Sequence, residues 1–136
     1  METTNLLHAA ASKFLAGLDS RQDVVLSELV LLELYGLLRN PATVPKPRSA
    51  AEAVALCGAF RSHPRWQVVG LPSDSREFHD AFWPRLAEPG FARRRAFDWR
   101  TALSLLQQGV DEFATANVRD FEGFGFRRVW NPLARN

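Results

Sequence analysis

Four side chains with hard oxygen donors stand out by type and position: Glu33, Asp98, Asn117 and Asp120. Asp98 stands at the head of a helical pattern. Asn117 and Asp120 follow a short β-like run just past its carboxyl end, the rim where ligands bind in open α/β sheets. Glu33 lies within an earlier helical run that is otherwise densely apolar, where a carboxylate is costly to desolvate unless it is paired or binds a cation. Brought to one mouth, these groups form an all-oxygen donor set suited to Mg2+ or Mn2+ and to metal-assisted phosphodiester hydrolysis. A local run, Arg93-Arg94-Arg95, adds planar guanidinium forks that pair well with phosphate.

Each of these residues also has a plainer use. Asp98 can serve as a helix N-cap, and Asn117 and Asp120 are turn formers. Glu33 can lie on a polar stripe with Gly36 or pair with Arg39. The arginine run can be a solvated face.

The elements that must position these groups alternate along the chain. Apolar periodicity predicts a helix over 5–18, with Leu7, Ala11, Phe14, Leu15 and Leu18 near one face. Residues 23–26 read as a buried strand. Ser27 offers an N-cap for a helix over 28–38, stopped by Arg39-Asn40-Pro41. Ser49 and Glu52 have capping-box spacing for a helix running to Ser62. Residues 66–69 suit a sheet. Asp74, three residues before Glu77, starts the next helix, which Pro84 should kink or divide. A helical pattern covers 99–108, with Gly109 as a left-handed cap. Strands are expected over 112–115 and 127–130, separated by an aromatic loop punctuated by Gly123 and Gly125. This alternation implies an α/β fold, a short parallel sheet flanked by helices on both faces.

Composition narrows the class. The chain has 136 residues, 46% hydrophobic and 24% charged, which suits one folded domain over 1–136 rather than a disordered chain. Its formal net charge is +2. One cysteine, Cys57, allows no internal disulfide and no Cys/His zinc pattern. No segment is as long and apolar as a membrane span, and no apolar leader follows Met1, so a cytoplasmic location is expected. His8, His63 and His79 read as helix-surface or helix-end residues.

Three segments resemble the PIN domain, and within it the VapC-type toxin ribonucleases. Leu31-Leu32-Glu33-Leu34-Tyr35, followed by Leu37-Leu38-Arg39-Asn40-Pro41, resembles the helix that carries the second acid. Phe97-Asp98, opening the run from Ala102 to Gly109-Val110, resembles the helix of the third. Thr115-Ala116-Asn117-Val118-Arg119-Asp120-Phe121, with Val129 to Pro132 closing, resembles the terminal segment. The resemblance implies a PIN-like three-layer sandwich and Mg2+- or Mn2+-dependent endoribonuclease activity. Glu33, Asp98 and Asp120 would be its acidic cluster, and Asn117 would stand where many members carry a further Asp. It also implies an RNA substrate contacted by Arg93, Arg94 and Arg95, an antitoxin partner and a homodimer.

The departure is at the front. The family opens with a central strand ending in Asp-Thr-Asn, whose Asp is the leading ligand; here the chain begins Met1-Glu2-Thr3-Thr4-Asn5. Either Thr3 replaces that carboxylate, or the strand is absent and residues 5–18 match the family's first helix. A truncated start, a decayed toxin or another segment filling the gap each fit this pattern. The alternative function is a catalytically impaired PIN-like interaction module that binds an antitoxin or dimerises through its apolar helices, with Trp83, Trp99 and Trp130 as candidate interface aromatics.

Overall fold

The computed structural model describes residues 13–133. Residues 1–12, including Thr3 and His8, lie outside that description. The described residues form two compact units, one of residues 20–70 and one that combines residues 13–19 with 71–133.

In the unit of residues 20–70 the order is β1 (Val25–Ser27), α1 (Glu28–Leu38), α2 (Ala50–Arg61) and β2 (Gln67–Val69). Strands β1 and β2 pair in parallel, with Val25 opposite Gln67 and Ser27 opposite Val69. Ser27 ends the strand and starts the helix: its buried hydroxyl accepts from the Leu29 N–H at 3.1 Å. The expected capping box is complete, with Glu52 N–H donating to Ser49 Oγ at 3.1 Å and Ser49 N–H donating to Glu52 Oε1 at 3.0 Å. Helices α1 and α2 pack together, with Leu31 and Ala53 buried. Arg61 grips Glu28 with two hydrogen bonds of 2.7 Å, which hold the Glu28 carboxyl below its usual pKa. Beside this pair a shallow groove is lined by Leu31, Leu32, Tyr35, Val54 and Cys57. His63 stacks on Trp66, with ring centroids 4.0 Å apart.

In the other unit residues 13–18 are helical. Then come α3 (Ser75–Leu86), a 3-10 turn (Arg93–Arg95), α4 (Ala96–Gln107), β3 (Glu112–Ala114), α5 (Val118–Phe121) and β4 (Arg128–Trp130). Asp74 caps α3, its carboxylate accepting from Glu77 N–H at 3.0 Å. Pro84 does not divide α3, contrary to expectation. It lies in the last turn, where the missing N–H removes one bond and little helix remains to be disturbed. Helix α4 closes as the Gly109 signal predicts: Gly109 takes φ +90°, its N–H donates to Leu106 O at 3.1 Å, and Val110 N–H donates to Leu105 O at 3.0 Å.

The core of this unit is aromatic: Phe78 and Phe82 from α3, Trp99, Ala102 and Leu103 from α4, and Phe121 and Phe124 from the final segment. Trp99 satisfies its indole N–H on Phe82 O at 3.0 Å, so it is core rather than interface. Trp83, one residue round α3, is exposed. Strands β3 and β4 pair in parallel, with Glu112 opposite Arg128 and Ala114 opposite Trp130. The strands are parallel, as the alternation of elements predicts. Among the described residues, however, they form two separate two-stranded ladders rather than one sheet. At three residues apiece, these strands leave little room for a periodic signal.

Candidate metal and nucleic-acid site

Asp98 is not the N-cap of its helix. The 3-10 turn of the arginine run feeds directly into α4, whose N-cap position is Arg95, so Asp98 is the third helical residue. The expectation that Asp98 opens the helix is corrected by three residues, and the carboxylate is released from a capping role. Helix α5 repeats the arrangement. Asn117 holds its N-cap position without a side-chain cap bond, and Asp120 is its third residue. Asn117 N–H donates to Thr115 Oγ1 at 3.0 Å, and Asp120 N–H donates to Asn117 O at 3.1 Å. The turn therefore closes through backbone and threonine, and the exposed Asn117 amide takes no part in capping.

The two carboxylates share one electrostatic neighbourhood. Burial raises the Asp98 pKa most, and the charge of Asp120 raises it further, against the opposing pull of Arg95 and Arg94. A first-turn position ordinarily favours the ionised form, so the shift shows that desolvation and like charge win here.

The arginine run divides its labour. Arg94 forms an ion pair with Asp120, yet its own side chain remains 71% exposed. Arg95 turns inward. Its Nε and Nη2 donate to Asp120 O at 3.1 and 2.9 Å, Nη2 also donates to Glu122 O at 2.8 Å, and its guanidinium lies 4.2 Å from the Phe124 ring centroid. Arg93 is exposed. From the other direction Arg85 donates to Gly123 O at 2.7 Å and packs 5.3 Å from the same Phe124 ring. The loop after Asp120 is thus clamped between two guanidiniums. Arg85 had no sequence signal, because its partners lie 38 residues downstream.

Glu33 belongs to the other unit and is exposed on α1, as are Leu32, Gly36 and Leu37. The premise of a desolvated carboxylate in an apolar helix does not hold: α1 leaves this face in solvent. Among the described residues, no three His, Cys, Asp or Glu side chains gather closely enough to hold a metal among themselves. The donor set that the geometry does bring together is the pair Asp98 and Asp120, with Asn117 three residues before the latter.

Paired carboxylates are groups that can take a cation, and exposed guanidiniums are groups that can take a phosphate. No family model matches the chain, and no solved structure does. Among curated proteins it is 46% identical over 126 residues to Ribonuclease VapC24 of Mycobacterium tuberculosis, in both strain CDC 1551 / Oshkosh and strain H37Rv. The alignment covers 93% of this chain and 84% of each relative. The chain belongs to the VapC family of ribonucleases, the family its acidic motifs resemble.

Proposed function

We propose that this chain is a Mg2+- or Mn2+-dependent endoribonuclease toxin that hydrolyses RNA phosphodiesters. The observation that carries this reading is the 46% identity over 93% of the chain to a VapC ribonuclease, and the placing of Asp98 and Asp120 near enough for their charges to interact supports it. Such a pair is relieved by a divalent cation. Mg2+ suits it because that ion keeps several waters and binds through one or two carboxylates. Asp98 and Asp120 would hold the ion, and the Asn117 amide would coordinate it or orient water there. When bound, the ion supplies an activated water and offsets charge on the reacting phosphate. Arg94 and Arg93 present exposed guanidiniums to the RNA backbone, and Arg95 fixes the Asp120 backbone from behind. Glu33 is carried as the family's second acid by its motif alone, and Glu33→Gln tests that role directly.

The fold is read as the PIN-like three-layer sandwich, one domain over 1–136. The protein acts in the cytoplasm as a homodimer held in check by a cognate antitoxin. No helix among the described residues is long and apolar enough to cross a membrane. The second reading, an impaired interaction module, draws on the α1–α2 groove and on exposed Leu32, Leu37 and Val54. The deciding experiment is cleavage of structured RNA with Mg2+ or Mn2+, with and without chelator, for the wild type and Asp98→Asn. Metal-dependent cleavage lost in the variant supports the nuclease; equal cleavage by both removes Asp98 from the site.

A further inference from the structure

Phe97 is the residue immediately before Asp98, in the first turn of α4, and it is 68% exposed. The ring is therefore open to a partner, and the next residue in the chain is the part-buried Asp98. Arg100 lies one helical turn on, with its guanidinium carbon 5.4 Å from the Phe97 ring centroid. Its Nε is buried without a hydrogen-bond partner among the described residues. A cation thus lies over one side of the ring, and most of the ring is open to solvent. Exposed Arg93 and Arg94 lie just upstream in sequence, and Arg94 reaches Asp120.

We propose that Phe97, backed by Arg100, is a nucleobase-stacking platform that seats an unpaired base of the RNA substrate next to the scissile phosphate. This rests on the ribonuclease reading of the Asp98–Asp120 pair. The surroundings favour RNA over a protein partner. Arg100 lies against the ring and exposed Arg93 and Arg94 precede it in sequence, charges that suit a phosphate backbone, and single-stranded nucleic acid is bound by aromatic faces accompanied by basic side chains. Stacking accepts any base, so the platform requires an unpaired nucleotide without choosing its identity. The class of substrate it selects is a loop or single strand, and a continuous duplex is excluded.

The test compares wild type, Phe97→Ala and Phe97→Trp on a single-stranded oligoribonucleotide and on versions with one abasic position on either side of the cut. Phe97→Ala is expected to raise KM by about tenfold, with kcat little changed and the same melting temperature. Phe97→Trp restores binding. Removing the stacked base penalises the wild type by a similar factor and leaves Phe97→Ala unaffected. If Phe97→Ala cleaves the intact strand as the wild type does, the platform is wrong while the nuclease reading stands. The same holds if that substitution instead changes only the oligomeric state or antitoxin capture. If the wild type cleaves no RNA with either metal, the nuclease reading falls and the platform falls with it.

Discussion

Asp98 and Asp120 occupy equivalent places, each the third residue of a helix, and the charge of Asp120 raises the pKa of Asp98. A carboxylic acid whose pKa is raised on folding binds its proton more tightly in the native state. Ionised at neutral pH, it therefore subtracts from stability, and stability is regained as pH falls through the raised value. Without added metal, Asp98→Asn is expected to melt above the wild type at pH 7. That advantage should shrink as the pH is lowered and disappear once Asp98 is protonated in both states. Thermal melts from pH 7 down to pH 3 check both limbs; an Asp98→Asn variant less stable than the wild type at pH 7 contradicts the assigned electrostatics.

A cation binding this pair removes the same repulsion, so metal and the Asp98→Asn substitution should not add. Mn2+ at about 100 times its dissociation constant stabilises the native state by about 2.7 kcal/mol through mass action. The wild-type melting temperature should rise with Mn2+, and that of Asp98→Asn should not. An equal rise in both places the cation elsewhere.

The caps were legible in the sequence because they are local. Ser27, the Ser49–Glu52 box, Asp74 with Glu77, and Gly109 all act within a few residues of themselves, and all act as their types dictate. The start of α4 was not legible, because a run of three arginines carries no helical signal until its 3-10 turn is seen to merge with the helix. The two parallel ladders were hidden for a related reason: pairing is decided between residues some forty or sixteen apart, such as Val25 with Gln67 and Glu112 with Arg128. The apolar content of α1 suggests a desolvated Glu33, but α1 also leaves Leu32 and Leu37 exposed, and Glu33 lies with Gly36 on the exposed face, the other reading of that helix.

Gly109 holds the far end of the helix that carries Asp98. At φ +90° an L residue meets its own carbonyl, at a cost of roughly 1–2 kcal/mol. No atom outside the immediate chain lies within 4 Å of a Cβ placed there, so strain alone sets the loss. Gly109→Ala should lower stability by that amount in chemical denaturation while leaving the Mn2+ response intact. A neutral substitution means the Schellman closure is dispensable.

The arginine run separates into residues that hold the site and residues that face solvent, and substitution should split them along that line. Arg95→Ala removes three hydrogen bonds to the carbonyls of Asp120 and Glu122 and the contact with Phe124. A loss of about 2 kcal/mol of stability is expected, with cleavage lost through misplacement of Asp120. Arg93→Ala should leave stability unchanged. It should weaken RNA binding and reduce the slope of log K against log salt by about 0.7, the value for one fewer phosphate contact on a single strand. Denaturation and salt-titrated binding on the two variants read these effects separately. If Arg93→Ala lowers stability as much as Arg95→Ala, or if Arg95→Ala leaves stability unchanged, the division is wrong, because a group that ties three hydrogen bonds to the loop carbonyls cannot be removed as cheaply as one that ends in water.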